Sequence, residues 1–334
     1  MPPFLTRTLS IGAIAAGVLA TAVSALPATA EVRIDHRYGT TVIPKAPERV
    51  VSLDFTGTDD LLALGVAPVA VRDWYGDYPH GVWPWAQDAL GGAEPVLLAG
   101  GIDVERIAAL RPDLILGLAS GMTAEDYALL SRIAPTVAPG EGQTDFGTPW
   151  DRAALIRGRA TGHSDDARAR VDALDARLDA IAAAHPEWQG MTAAVAFAWN
   201  GTPGAYRSVD TRVRLLSRLG FEVPPAIEAA GGPEAFYVPL SGEDLSALDA
   251  DLLVWIAEGD DAASIASLTL RPTLDAHVEG REVFAGKLLG GAMSMSSLLS
   301  LPFALDRLVP LIEVAVDGDP ATPVETTAAA GLAP

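Results

Sequence analysis

Residues 165–184 are the segment that most constrains how this chain can fold. They contain no glycine, proline or aromatic residue, and Val171, Leu174, Leu178 and Ile181 recur at steps of three and four. Charged side chains fill most of the other face, and a proline follows the segment. This pattern predicts one amphipathic helix of about 20 residues, roughly 30 Å long.

Short apolar runs alternate with helical segments on both sides of this helix. Before it, strands are predicted at 49–53, 67–71 and 113–116, with helices at 58–64 and 104–110. After it, strands are predicted at 192–199 and 251–256, with helices at 209–219 and 298–314. Such alternation is typical of parallel sheets covered by helices. The sequence therefore predicts an α/β fold on both sides of one long helix, which is either an ordinary surface helix or, given its position near the middle of the chain, a connecting strut.

A repeated segment supports two lobes of similar design. Residues 105–115 and 243–253 each begin with a glutamate, Glu105 or Glu243, and then share an aliphatic residue, an Ala-Leu pair and Asp-Leu at the same offsets. We expect an N-terminal lobe at 31–160, the connecting helix at 161–188 and a C-terminal lobe at 189–316. Residues 317–334 are rich in Ala, Thr, Pro and Gly, a composition that predicts a disordered tail.

The first thirty residues have the features of a secretory signal peptide. Arg7 is their only charged residue, a short apolar run follows it, and the segment ends in small residues at Ala28 and Ala30. The run is shorter than the stretch of about 20 apolar residues that a membrane anchor needs. The chain has no cysteine, hence no disulfide and no residue to carry a lipid at the cleavage site. We expect a periplasmic or secreted protein, soluble after cleavage and without a lipid anchor.

Charge and motifs exclude several classes of function. The net charge is −20 and no Lys/Arg-rich stripe exists, so nucleic acid is not an expected partner. The five histidines are far apart, and no cluster has the spacing of metal ligands. The chain has neither a Gly-x-Ser-x-Gly elbow nor a phosphate-binding Gly-Lys loop. We therefore expect no catalytic residue, no metal site and no cofactor.

Aromatic and arginine side chains gather at the ends of predicted strands, where a two-lobed protein binds its ligand. The candidates are Arg72, Trp74, Tyr75 and Tyr78 in the first half, and Trp199, Tyr206, Arg207, Phe236 and Tyr237 in the second. Packing in a core is the alternative for each aromatic residue, and for Trp83, Trp85 and Trp255 it is equally favoured. Met293 and Met295 are further candidates with the same alternative.

Several stretches of the chain resemble the siderophore- and cobalamin-binding proteins of ABC importers. The resemblance covers roughly residues 47–317 and is carried by 47–53, 61–71, 103–107, 112–115 and 297–310. Residues 73–76 and 83–86 resemble the iron-siderophore branch in particular. The family implies two α/β lobes joined by one long, rigid helix, the helical-backbone type of class III periplasmic binding protein. It also implies capture of an iron(III)–siderophore between the lobes and delivery by a monomer to ABC transporter permease subunits in the membrane.

The resemblance assigns roles to individual residues. Glu105 and Glu243 are expected to begin equivalent helices in the two lobes. The resemblance implies that both dock onto the permease, although an acid in a first helical turn also simply favours the helix dipole. Phe236 and Tyr237 fall where hydroxamate binders of the family place an aromatic residue. Those binders also have an arginine shortly before the first glutamate, where this chain has Ala99-Gly100-Gly101. Either the ligand is not bound in the hydroxamate manner, or Arg72 or Arg207 takes over that arginine.

Two alternatives to iron-siderophore binding stay open. A cobalamin- or haem-binding protein of an importer would have the same fold and a similar cleft. A secreted hydrolase belongs to a different class, and it would need an acid–base pair with a raised pKa in the cleft.

Overall fold

The apolar runs of the N-terminal half form a parallel sheet. The computed structural model describes residues 31–143, 146–232, 235–257, 259 and 262–334. The predicted signal peptide, residues 1–30, lies outside them. The half comprises β1 (Val32–His36), β2 (Gly39–Ile43), β3 (Val50–Ser52), α1 (Thr58–Ala63), β4 (Ala70–Arg72), β5 (Val96–Leu98), α2 (Val104–Ala109), β6 (Leu114–Leu116), α3 (Ala124–Leu130), β7 (Thr136–Val137) and α4 (Trp150–Thr161).

The N-terminal sheet has the order β5-β4-β3-β6-β7 with every pair parallel, and β1 and β2 form a separate antiparallel hairpin. Successive residues of a strand point to opposite faces. Val50 therefore packs in one buried cluster with Leu61 of α1 and Ala160 of α4. Val51 packs in the other with Ile107 of α2. Both faces of the sheet are covered by helices, as the near-continuous apolar strands predicted.

The predicted connecting helix is present as α5, Ser164–Ala184. It is shorter than the range 161–188, because Gly162 ends α4 in the left-handed conformation and a one-turn 3-10 helix occupies 186–188. Val171 of α5 packs with Ala63 of the N-terminal lobe, whereas Leu174 and Leu178 belong to the core of the C-terminal lobe. One helix thus joins the two lobes. No helix in the described ranges is long and apolar enough to cross a membrane.

The C-terminal lobe has a mixed sheet of order β10-β9-β8-β11-β12. β8, β11 and β12 are parallel, and β9 and β10 are added antiparallel at one edge. Its elements are β8 (Ala193–Trp199), β9 (Thr202–Tyr206), α6 (Thr211–Arg218), α7 (Pro225–Ala230), β10 (Tyr237–Pro239), β11 (Leu252–Ile256), α8 (Ala263–Ala266), α9 (Asp275–Val278), β12 (Glu282–Ala285), α10 (Gly286–Met295), α11 (Ser300–Ala315) and α12 (Glu325–Ala329).

The predicted disorder of residues 317–334 is corrected by α12. The Thr327 side chain donates to the backbone oxygen of Glu282 at 2.6 Å and accepts from the amide of Phe284 at 3.0 Å. Val324 and Leu332 are buried in the two clusters that cover the C-terminal sheet. These few apolar and hydroxyl contacts hold a segment whose average composition predicts disorder.

The two lobes meet in a buried interface. The Asp59 carboxylate of α1 accepts a hydrogen bond from the Ser297 hydroxyl at 2.8 Å, and Asp60 accepts from the amide of Leu298 at 2.9 Å. Trp83 packs against α10 at Gly291, where a Cβ would lie 2.4 Å from the indole ring. The interface therefore combines fixed polar partners with close packing that only glycine permits.

Asp59 makes the stability of this interface depend on pH. Burial raises the pKa of its carboxyl from 3.8 to about 6, although hydrogen bonds from Trp85 and Ser297 act in the opposite direction. Between these two pH values the folded chain holds a proton that the unfolded chain has lost. The free energy of unfolding contributed by Asp59 therefore falls as pH rises through this window.

We expect Asp59→Asn to remove this pH dependence, because the amide stays neutral throughout. Raising the pH from about 4.5 to 7 should cost the wild type about 2 kcal/mol more than the variant. Urea unfolding of both proteins at the two pH values measures the difference, since all other carboxyl groups are shared. Parallel pH profiles would show that Asp59 does not titrate in this way.

Candidate functional site

A cleft of about 360 Å³ lies between the lobes at the carboxyl ends of the strands. Phe55 follows β3, Trp74 follows β4, Leu118 follows β6, and Trp199 ends β8. The remaining lining residues include Thr56, Tyr75, Ala119, Phe146, Gly147, Thr148, Trp150, Ala153, Arg157, Tyr206, Val209, Asp210, Thr211, Arg212, Phe236, Ile256, Ala257, Ser294, Met295 and Ser296. The strand ends therefore build one shared pocket from both lobes.

Exposed aromatic rings form the N-terminal wall of the cleft. Trp74 is 39% exposed and Phe146 is 50% exposed. The Phe55 ring lies between them, with centroid distances of 6.0 Å to Trp74 and 6.1 Å to Phe146. Tyr75 supports Trp74 edge-on at 4.5 Å. Rings of this size that stay exposed in a concave site are suited to cover an apolar ligand surface.

The C-terminal wall presents a second group of rings. Trp199 is 46% exposed and rests on Phe197, with ring centroids 4.3 Å apart. Phe236 lines the cleft. The Tyr237 ring packs edge-on against Phe236, and its centroid lies 6.2 Å from that of Trp199. A ligand between the lobes would therefore meet aromatic faces from both sides.

Arg212, on α6, is held in a fixed orientation at the cleft. Its Nε donates to the Ser294 hydroxyl at 2.9 Å, its Nη1 donates to Asp210 at 2.8 Å, and its guanidinium lies 4.1 Å from the Tyr206 ring centroid. Burial acts to lower the pKa of Arg212, but Asp210 and the neighbouring tyrosines raise it above its ordinary value. The group stays charged, and within the described residues Nη2 has no hydrogen-bond acceptor. An arginine fixed in this way can donate to ligand oxygens at little entropic cost.

A buried ion triad forms the floor of the cleft. Arg157 of α4 contacts the carboxylate of Asp54 at 2.8 Å and that of Asp60 at 2.5 Å. The second oxygen of Asp54 accepts from the amide of Ala119 at 2.7 Å. Both carboxylates are thereby engaged, so Arg157 is held by the protein itself.

The structure brings five of the nine predicted ligand-binding residues into the cleft: Trp74, Tyr75, Trp199, Tyr206 and Phe236. Met295 also lines it, whereas Met293 is buried in the core. Trp83 and Trp255 are buried, and Trp85 packs against core clusters, so core packing is the correct interpretation for all three.

The other four predicted residues do not line the cleft. Arg72 lies behind Phe55, 4.2 Å from its ring, and donates to the backbone oxygens of Ser120 and Gly100. Tyr78 packs on Trp83. Tyr237 contacts the ring of Phe236 but does not line the cleft itself.

Arg207 was predicted to bind the ligand, but its side chain is buried away from the cleft. Its guanidinium is buried, donates to the backbone oxygens of Gly232 and Ala235, and pairs with Glu228 at 3.1 Å. The physical reason is that successive residues of an extended chain point to opposite faces: Tyr206 lines the cleft, so the next residue, Arg207, points to the other face, toward Glu228 of α7.

Four residues of the cleft were not predicted from the sequence: Phe55, Phe146, Arg212 and Ser294. Phe55 follows a strand and could have been found by the same rule as Trp74. Arg212 and Ser294 sit on helices, 82 positions apart, and no local pattern joins them. Among the described residues no group of three or more His, Cys, Asp or Glu could hold a metal ion.

The two repeated glutamates are exposed, but only one begins a helix. Glu105 lies in the first turn of α2. Glu243 lies in a turn between Ser241 and Asp244, ahead of a one-turn 3-10 helix at 246–248. The expectation that both begin equivalent helices is therefore wrong for Glu243, and a helix-dipole role does not apply to it.

Comparisons with known proteins agree with this architecture. Residues 50–280 match the model of the periplasmic binding protein family. A periplasmic solute binding protein from Mycobacterium smegmatis superposes with a TM-score of 0.75 at 36% identity, over 86% of this chain and 99% of that one.

Two curated relatives are also similar. The probable siderophore-binding lipoprotein YfiY of Bacillus subtilis is 31% identical over 197 residues, 57% of this chain and 57% of its own length. The ferric enterobactin-binding periplasmic protein FepB of Escherichia coli O6:H1 is 27% identical over 325 residues, 92% of this chain and 98% of its own.

Proposed function

The chain belongs to the periplasmic binding protein family, and from this we propose that it is the substrate-binding component of an ABC importer. It captures an iron(III)–siderophore between its lobes and, as a monomer, delivers it to the membrane permease. The cleft is the observation that carries the proposal: exposed aromatic rings on both walls surround one fixed arginine. Aromatic faces suit the organic shell of a chelate, and the arginine suits the oxygens around its iron. The names of YfiY and FepB point to the same class of ligand.

The arrangement does not favour the hydrolase alternative. Asp210 is the one carboxylate among the described lining residues, and it is paired with Arg212 at 2.8 Å. A general base needs a carboxylate within reach of a substrate proton. Binding without catalysis is therefore the function we propose for the cleft.

A tryptophan-quenching titration tests the proposal, because Trp74 and Trp199 face the cleft from opposite walls. The panel comprises a ferric hydroxamate, a ferric catecholate, ferric citrate, haem and cobalamin. We expect saturable quenching with one ferric chelate and none with cobalamin or haem. If only cobalamin or haem binds tightly, the protein is instead a cobalamin- or haem-binding component of an importer.

We also propose that the protein acts in the periplasm after cleavage at Ala30, without a lipid anchor. The support is the signal-like sequence of residues 1–30 and the lack of cysteine. Mass spectrometry of the protein from the cell envelope should give a mature chain that begins at Glu31. A chain that keeps Met1, or one that carries a lipid, would contradict this.

We propose that Glu105 and Glu243 dock onto the permease, one from each lobe. They are exposed and lie outside the cleft. A charge pair buried on complex formation commonly costs about 2–5 kcal/mol when one partner is removed, whereas an exposed pair is worth about 0–1 kcal/mol. We therefore expect Glu105→Arg/Glu243→Arg to nearly abolish uptake, with each single alanine change having a partial effect.

Ligand titrations separate docking from binding in this experiment. The double variant should bind its chelate with wild-type affinity, because neither residue contacts the cleft. Asp165→Arg/Asp172→Arg on α5 makes the same change in net charge at two exposed positions and should transport normally. Normal uptake by the glutamate double variant would refute the docking role.

A further inference from the structure

The ionised groups at the cleft nearly cancel one another. Among the described lining residues, three carry charge: Arg157, Asp210 and Arg212. Arg212 is paired with Asp210 at 2.8 Å, and their side chains are 11% and 6% exposed. Arg157 is paired with two carboxylates behind the wall. Neither arginine therefore brings an uncompensated positive charge to the ligand.

The surroundings bring as many carboxyl groups as cations. Arg72 and Arg214 lie near the wall and donate to backbone oxygens, Arg214 to that of Gly147 at 3.0 Å. The carboxyl groups of Asp54, Asp59 and Asp60 lie on the opposite side of this balance. No lysine lines the cleft in the part of the chain that the structure describes. The chain as a whole carries −20, which repels anions at long range.

Iron(III) chelates differ in net charge according to their donor groups. Three monoanionic hydroxamates balance the charge of the ferric ion and leave a neutral complex. Three dianionic catecholates leave a trianion, and citrate complexes are also anionic. An anion that enters a cleft without net positive charge loses its hydration and gains no compensating ion pair.

We propose that this cleft selects an electroneutral ferric chelate of the tris-hydroxamate type and discriminates against anionic chelates. This rests on the proposed function and narrows its ligand. Neither Arg72 nor Arg207 lines the cleft, so Arg212 takes the place of the arginine that hydroxamate binders of the family carry. Because Asp210 already compensates its charge, Arg212 acts as an oriented hydrogen-bond donor to the hydroxamate oxygens. The aromatic walls supply contact with the uncharged organic shell.

Titration with two probes that differ in net charge tests the proposal: a neutral ferric tris-hydroxamate and a trianionic ferric tris-catecholate. We expect the neutral probe to bind at least about a hundredfold more tightly. Its affinity should not change between about 20 mM and about 500 mM salt, because a neutral ligand has no charge to screen. Tighter binding of the tris-catecholate would overturn the charge selectivity while leaving iron-chelate capture intact. No binding of any ferric chelate would instead overturn the proposed function.

Asp210→Asn tests the same selectivity within the protein. The amide can still cap α6, where Asp210 accepts from the amide of Arg212 at 2.9 Å, but Arg212 becomes an uncompensated cation. The ratio of the two affinities should move toward the tris-catecholate by about tenfold, the size of a unit charge acting on a trianion through a solvated site. Asp172→Asn, on an exposed part of α5, makes the same change in net charge and should leave the ratio unaltered. An unchanged ratio in a folded Asp210→Asn variant would also overturn the proposal.

Discussion

Replacing both Trp74 and Trp199 with alanine is expected to lower the affinity for the preferred ferric chelate by about a thousandfold. Truncating an aromatic residue at the centre of a binding site costs about 2 kcal/mol or more, which is roughly thirtyfold in affinity. The two rings stand on different lobes and share no ring contact. Their effects should therefore be nearly additive.

Isothermal titration measures the loss, and thermal unfolding shows that the fold is kept. Each indole is already 39–46% exposed, so its removal leaves no cavity in the core. Leu129→Ala removes a 45% exposed apolar side chain from α3, outside the cleft, and serves as the control. Tyr237→Ala should have a smaller effect than either tryptophan, because Tyr237 lies at the rim. Wild-type affinity in the double variant would show that the chelate does not bind between these two rings.

Arg157→Met is expected to be the most destabilising single change considered for this chain. It leaves Asp54 and Asp60 buried without their cation, and breaking a buried ion pair in this way costs about 3–5 kcal/mol. Asp60 also accepts from Leu298 of the other lobe, so the interface between the lobes loses support as well. The melting temperature should fall by about 10 °C.

Arg218→Met provides a matched control for this experiment. Arg218 also joins two aspartates, Asp175 at 2.7 Å and Asp179 at 2.9 Å, but its side chain is 42% exposed. Exposed pairs contribute about 0–1 kcal/mol, so this variant should melt close to the wild type. Equal effects of the two substitutions would mean that burial does not set the strength of the triad.

The parts of the fold that depend on local pattern could be predicted from the sequence. The periodicity of Val171, Leu174 and Leu178 identified α5, and the apolar runs identified β3, β8 and β11. The family gave the two-lobed architecture. Strands β9 and β10, which extend one side of the C-terminal sheet, were missed because prolines at 203 and 239 and a glycine at 204 interrupt their few apolar residues.

The site could be predicted only in part, for a related reason. The carboxyl-end rule located Trp74 and Trp199 because each directly follows a buried parallel strand. It misplaced Arg207, since the rule does not say which face a side chain takes: Tyr206 points into the cleft and Arg207 points to the opposite face. Arg212 depends on contacts with Asp210 and Ser294 that form only in the folded chain. The hydrogen bond between Asp59 and Ser297 joins residues 238 positions apart and leaves no trace in local sequence.

Anomalous diffraction at the iron edge, from crystals grown with the ferric chelate that binds most tightly, tests the central claim directly. We expect one iron peak inside the cleft, between the rings of Trp74 and Trp199, with chelate oxygens within hydrogen-bonding distance of Arg212. An iron peak outside the cleft, or a cleft that stays empty while the chelate binds in solution, would contradict it.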